Sequence, residues 1–241
     1  MRSSPLIDHP MPRAAGCGPA FSFAGQSWQA LPQGALFWQE RAALIVADLH
    51  FEKASAFARR GQMLPPYDSR ATLDALAGVI ALTQPREIWC LGDSFHDGGA
   101  HERMSGETRA RIAQLTATYR WTWITGNHDP LGASGVDSPL GGENRAEALI
   151  DGVILRHEAM PGEVRPEISG HFHPKLRMSL RGRHISRRCF VKGGSKIIVP
   201  AFGAFTGGLD AASPAIASLV GRNSEALIAL EDRLLRFALW R

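Results

Sequence analysis

The sequence predicts an α/β or α+β domain built around layered sheets. Three observations carry that prediction. Apolar runs of strand length alternate with helical stretches through the first half, short strand candidates separated by turn residues fill the second half, and no linker divides the two. With 241 residues and 44% hydrophobic content the chain can bury a sizeable core, and residues 21–241 read as a single domain.

The elements follow in order. Residues 1–20, with Pro5, Pro10, Pro12, Gly16, Gly18 and Pro19, read as an irregular lead-in. Residues 35–38 and 42–47 read as two strands joined by a polar turn, the second apolar throughout and so buried on both faces. Residues 52–60 and 68–82 read as helices. The second places Leu73, Leu76, Ala77 and Ile80 on one face, with Asp68 as its N-cap. A strand over 87–91, a helix over 107–118 and a strand over 121–125 continue the alternation. After these come short strands at 153–155, 167–169, 176–180, 189–191, 196–199, 227–230 and 234–240. No internal repeat or low-complexity tract interrupts them.

Composition bounds the function only loosely. A net charge of +4 and a pI near 9.3 suit a polyanionic partner, and equally suit a solvated surface rich in Arg. The three cysteines, Cys17, Cys90 and Cys189, are far apart, which argues against a disulfide framework and fits a reducing cytoplasm. Cys90 lies in the apolar run Ile88, Trp89, Cys90, Leu91 and reads as a core residue. No segment approaches the apolar length of a membrane span, and the N-terminus lacks the charged-then-apolar order of a signal peptide.

The chemistry lies where the strands end. Asp48 and His50 follow the run 43–47, and side chains two apart on an extended segment point the same way. Gly92 and Asp93 follow the next buried strand. Gly126, Asn127, His128 and Asp129 follow the third, and Gly170, His171, Phe172 and His173 follow a later one. Each piece alone has an ordinary explanation as a turn, a cap or a solvated strand. Together, at successive strand ends, they converge as ligand sites in open α/β sheets do. Carboxylates, imidazoles and one amide oxygen suit Mn²⁺, Fe²⁺ or Zn²⁺ rather than a thiolate site.

This order of motifs resembles the signature of the calcineurin-like metallophosphoesterases: Asp-x-His, Gly-Asp, Gly-Asn-His-Asp, a separate His, then Gly-His-x-His. The resemblance spans Asp48 to His173 and implies two mixed β-sheets flanked by helices in a four-layer αββα sandwich. It implies one ion held by Asp48, His50 and His173, another by Asn127, His157 and His171, and Asp93 bridging both. The chain departs from the family at Arg156, where Gly usually precedes the His. His157 still follows a strand-like run, whereas His9, His101 and His184 fall at the wrong places. Two cations about 3.5–4 Å apart can share a water, lower its pKa and aim the hydroxide in line at phosphorus. The resemblance places His128 on the leaving-group side, to stabilise charge or protonate the departing oxygen, and gives Asp129 the task of fixing the loop.

The string Gly92-Asp93-Ser94-Phe95-His96 lacks the Asp-Arg of the protein-phosphatase branch and resembles the DNA-nuclease branch, in which the His assists on phosphodiesters. The stretch 200–210 adds a likeness to the bacterial DNA-ligase-associated phosphoesterases. That likeness implies a Mn²⁺-dependent endonuclease acting on single-stranded DNA in repair, with a functional link to a DNA ligase and a helicase, and it is compatible with a homodimer. A phosphomonoesterase or nucleotide phosphatase, and a non-catalytic scaffold of the same fold, are the rival readings. Phe202 and Phe205 could stack on bases or fill a core. Arg177, Arg181, Arg183, Arg187 and Arg188, between Lys175 and Lys192, could line a phosphate backbone or be the solvated face of a hairpin. Arg177, Arg187, Arg188, Phe202 and Phe205 are the candidate substrate contacts.

Overall fold

The computed structural model describes residues 18–129, 138–180 and 182–240. The first sheet runs in chain order: β1 (Ala20–Phe23), β2 (Gln26–Ala30), β3 (Leu36–Trp38), β4 (Ala43–Val46), β5 (Glu87–Leu91), β6 (Arg120–Ile124) and β7 (Glu143–Arg145). Neighbours from β1 to β4 are antiparallel, and those from β4 to β7 are parallel. Parallel neighbours need crossovers. α1 (Lys53–Ala58) and α2 (Asp68–Thr83) link β4 to β5, and α3 (Ala100–Arg103) and α4 (Gly106–Thr118) link β5 to β6.

The second sheet takes β8 (Glu147–Ile150), β9 (Val153–Arg156) and β10 (Glu167–Ser169). A separate hairpin of β11 (Lys175–Leu180) and β12 (Arg183–Arg188) follows. Then come β13 (Phe190–Lys192), β14 (Lys196–Ile198), α5 (Pro214–Val220), β15 (Glu225–Ala229) and β16 (Leu234–Ala238). The strand order is β16-β15-β13-β14-β10-β9-β8, with β10 parallel to both β9 and β14.

Period-two packing explains why β4 is apolar without a break. Ala43 and Ile45 enter the core between the sheets, together with Val153, Leu155, Ile168 and Ile197. Leu44 and Val46 face the other way, into a cluster with Leu73, Leu76 and Val79 of α2. A strand covered on both faces needs an apolar residue at every position. A third cluster joins Val191, Ile198 and Ala226 to Ile216 and Val220 of α5. Helices, sheet, sheet and a thin outer layer of α5 with the hairpin make the four-layer sandwich that the sequence led us to expect.

Some expectations change. Ala77 is exposed, and Val79 takes its place on the buried face of α2. Asp68 does not cap its own helix, whose N-cap is Tyr67. Its carboxylate instead accepts from the Ala54 N–H (2.9 Å) in the first turn of α1, tying the two helices together. The sequence also concealed β1, β2, β7, β8, β12, α3 and α5. They are polar, short or, for α5, hidden behind an N-terminal Pro. Most of the expected lead-in, residues 1–17, lies outside the described residues, as does Cys17. Among the described residues no helix is long and apolar enough to cross a membrane.

Candidate metal centre

The carboxyl ends of β4, β5 and β6 lie side by side, with Val46 paired to Cys90 and Leu91 paired to Ile124. The chain then continues in parallel contact across the top of the sheet. The Asp48 N–H donates to the Gly92 carbonyl (3.1 Å) and the His50 N–H to the Asp93 carbonyl (2.9 Å). From the second sheet, β9 and β10 deliver His157 and the His171–His173 turn to the same edge. The His171 N–H donates to the Asp48 carboxylate at 3.0 Å, and the His157 ring reaches the Leu91 carbonyl at 3.0 Å.

The backbone here differs from the extended geometry expected of Asp48-Leu49-His50 and His171-Phe172-His173. Asp48 (φ 54°), His50 (φ 46°), Asp93 (φ 47°), His171 (φ 70°) and His173 (φ 46°) all occupy the left-handed region. Such a conformation is costly for residues with a Cβ, and it clusters where packing forces side chains toward a functional point. The i, i+2 pairs converge, but through a twisted backbone.

The donors fall into two groups. In one, His50 Nε2 lies 3.3 Å from His173 Nε2, which is 3.4 Å from Asp48 Oδ1. In the other, Asn127 Oδ1, His157 Nε2 and His171 Nδ1 form a triangle with sides of 2.9, 3.1 and 3.1 Å. Asp93 lies between them, with Oδ2 4.0 Å from His50 Nε2 and Oδ1 3.4 Å from His157 Nε2. All seven expected donors are therefore brought together.

Hydrogen bonding tests whether these atoms suit a cation. The His157 Nδ1–H donates to the Leu91 carbonyl, so in the neutral ring Nε2 is a bare lone pair. That lone pair converges with the Asn127 oxygen and the His171 nitrogen on one point, as ligand atoms around a cation do. Donor atoms about 3 Å apart are also spaced as adjacent ligands of an ion roughly 2.1 Å from each. In the first group burial, reinforced by His173 and Lys53, pushes His50 down to about 2, so it stays neutral and free to ligate. The residues fit two divalent ions.

Two glycines allow this closeness. A Cβ on Gly92, at φ 75°, would lie 2.3 Å from His157 Nδ1, and one on Gly126 would lie 2.4 Å from Asp93 Oδ1. Arg156 replaces the usual Gly before His157 without crowding the donors. Its buried guanidinium turns toward Glu147 (3.1 Å), Glu167 (3.6 Å) and Glu163 (3.7 Å).

His128 lies beside the donors. Its Nδ1–H donates to the His96 carbonyl (2.9 Å), which leaves Nε2 facing Asp93 Oδ2 at 4.0 Å. The His96 ring stacks on it at 5.7 Å, and burial, then Lys53, lowers its tendency to protonate. Asp129 turns away from the donors and fixes the loop. Its carboxylate accepts from the Phe95 N–H (2.9 Å) and the Gly126 N–H (2.8 Å). Burial raises its pKa, and the two backbone donors oppose that rise.

The expected substrate contacts separate. Phe202 is 3% exposed in the core with Leu49 and Phe51, so it cannot stack on a base. Phe205 is exposed. On the hairpin Lys175 pairs with Arg188 and Arg177 with Ser186, on one face. Arg187 pairs with the buried Leu176 on the other face, so the basic strip is not continuous. The Arg188 guanidinium is held by the Gln33 carbonyl (2.6 Å). Arg181 lies outside the described residues. Sequence reasoning missed Lys53, whose charge acts on His50 and His96, and Tyr67, whose ring meets Phe205. Lys53 carried one signal, its position three residues after His50.

Comparison with known proteins fits this geometry. The family model for calcineurin-like phosphoesterases matches residues 43–175, a stretch that contains all seven donors. Among solved structures, the nuclease MPE of Pseudomonas putida superposes with a TM-score of 0.69 at 28% identity, covering 91% of this chain and 100% of that one. Two others overlap too loosely to carry an argument. The phosphoesterase Yfce from E. coli gives a TM-score of 0.35 at 12% identity, covering 69% of this chain and 83% of its own. Zinc-complexed Vps29 from Entamoeba histolytica gives 0.35 at 14%, covering 82% and 98%. No curated protein sequence matches the chain. With the motifs, the two-sheet sandwich and the convergent donors all in place, the chain belongs to the calcineurin-like phosphoesterase family and is a metal-dependent phosphoesterase.

Proposed function

We propose that this phosphoesterase is a two-metal nuclease, a single domain over residues 21–241 that cuts phosphodiesters in nucleic acid. DNA is favoured over RNA and single strands over duplex, and the setting is DNA repair in the cytoplasm. The observation that carries the reading is the pair of donor groups with Asp93 between them. The 28% identity to a Pseudomonas putida nuclease over 91% of the chain supports the choice of substrate.

Asp48, His50 and His173 would hold one ion, Asn127, His157 and His171 the other, and Asp93 would reach both. Mn²⁺ is the expected metal, with Fe²⁺ and Zn²⁺ also suited to the donors. Bound divalent ions would supply an acidified water and positive charge for the phosphoryl oxygens. The protein's own groups do the rest. Asp93 orients the His128 loop by accepting its N–H at 2.9 Å. The His96 carbonyl holds the His128 Nδ1–H, so Nε2 is the position from which the imidazolium form of His128 would give its proton to the departing oxygen. His96, stacked on His128, contacts the phosphodiester on the same side. Imidazole rings, rather than a fixed guanidinium, suit a singly charged diester better than a terminal phosphate dianion.

Hydrolysis of bis-p-nitrophenyl phosphate and of p-nitrophenyl phosphate, with Mn²⁺ and then with chelator, tests this reading. A metal-dependent preference for the diester is expected. A preference for the monoester would place the chain among the phosphatases instead.

A further inference from the structure

The loop after β14 carries a feature that the metal centre does not use. Its first residues are tied to the centre, because the Phe202 N–H donates to the Ala47 carbonyl (2.9 Å) and the Gly203 N–H to the Asp48 carbonyl (3.1 Å). Its far end is tied to the other ligand turn, where the Leu209 N–H donates to the Phe172 carbonyl (3.2 Å). Between these anchors the Ala204 N–H donates to Thr72 Oγ1 of α2 (3.0 Å), which brings the loop against the start of that helix. There the rings of Phe205 and Tyr67 meet at 5.6 Å and an angle of 65°. Both face solvent, Tyr67 at 55% exposure and Phe205 at 42%, and Phe205 holds its place with a left-handed φ of 56°. Two exposed aromatics clasped together on a loop tied to the metal centre are unlike scattered surface apolar residues.

Cations lie against the same loop, and Lys175 follows the donor His173 by two residues. Lys175 Nζ donates to the Thr206 carbonyl (2.9 Å), and the Arg177 guanidinium donates to the Gly208 carbonyl (3.0 Å). Each keeps further N–H groups for an anion. A ring pair and a cation on one loop tied at both ends to the metal centre suit a base and a phosphate of a strand whose neighbouring linkage is cut.

We propose that Tyr67 and Phe205 form a stacking platform for an unpaired nucleobase beside the cleaved linkage, with Lys175 holding a phosphate beside the platform. The proposal rests on the nucleic-acid reading above. A base inside a duplex is stacked on both faces and cannot offer one to the platform, so the device selects single strands, loops and flaps. Stacking on a ring is tolerant of sequence because every base has a π face.

The test compares Mn²⁺-dependent cleavage of a single-stranded oligonucleotide with that of the same strand carrying abasic sites around the cleaved linkage. Tyr67→Ala and Phe205→Ala should each lower kcat/KM on the base-bearing strand by about tenfold or more, with metal content unchanged. Tyr67→Phe and Phe205→Tyr should keep wild-type rates. The wild type should fall to the level of the Ala variants on the abasic strand. Ala variants as fast as wild type, or a wild type indifferent to missing bases, would overturn the platform while leaving the nuclease standing. A wild type that cleaves bis-p-nitrophenyl phosphate and no oligonucleotide would remove the nucleic-acid reading, and the platform with it.

Discussion

Gly92→Ala probes the role of His157 without replacing any of the seven donors. The added methyl would lie 2.3 Å from His157 Nδ1 and 2.4 Å from Cγ, on a backbone at φ 75°. An ordinary contact begins near 3.4 Å, so the ring must retreat by about 1 Å. Retreat breaks the Nδ1–H bond to the Leu91 carbonyl that fixes the tautomer, and it pulls Nε2 out of the triangle with Asn127 and His171. Loss of a partner that orients a ligand typically costs about 10- to 100-fold in metal affinity or activity. A misplacement of about 1 Å costs roughly 100-fold in rate. The left-handed backbone adds about 1–2 kcal/mol of destabilisation, a fall in Tm of roughly 2–8 °C for a chain of this size. Calorimetric Mn²⁺ titration, with hydrolysis of bis-p-nitrophenyl phosphate at limiting Mn²⁺, measures the effect. We expect one ion held as in the parent and the other at least about tenfold more weakly. Parental affinity for both ions with parental activity would refute the assignment of His157.

Three further predictions follow from the same geometry. His128→Ala should lower kcat by about 100-fold or more while metal content stays that of the parent, and loss of metal instead would make His128 a ligand. Asp129→Asn leaves one oxygen where the Phe95 and Gly126 N–H groups need two, so thermal denaturation should show a loss of about 1–3 kcal/mol. Gly78→Ala meets no atom within 4 Å, in the middle of α2. It should raise stability by about 0.5–1 kcal/mol with kcat unchanged, and a lower Tm would show that the helix surface there is not free.

The donor set was legible because its first three motifs each follow a mainly apolar strand, and parallel strands deliver their carboxyl ends to one edge. Lone signals such as His157 could be placed only by the strand before them, and the change from Gly to Arg156 could be understood only once Glu147, Glu163 and Glu167 were seen around it. The substrate side was harder to read. Phe202 and Phe205 belong to one motif, yet backbone bonds to Ala47 and Asp48 hold the first against the core and let the second emerge. Arg187 and Arg188 are adjacent in sequence and so opposite in a strand. Tyr67 meets Phe205 across 138 positions of sequence, a contact that no local pattern encodes. Short polar strands such as β12, with three Arg and a His among its six residues, lacked the alternation that marks a half-buried strand.

Anomalous diffraction from crystals grown with Mn²⁺ tests the central claim most directly. Two peaks are predicted in each molecule, one among Asp48, His50 and His173 and one among Asn127, His157 and His171, with an Asp93 oxygen reaching both. A single peak, or peaks away from these residues, would contradict the two-metal account.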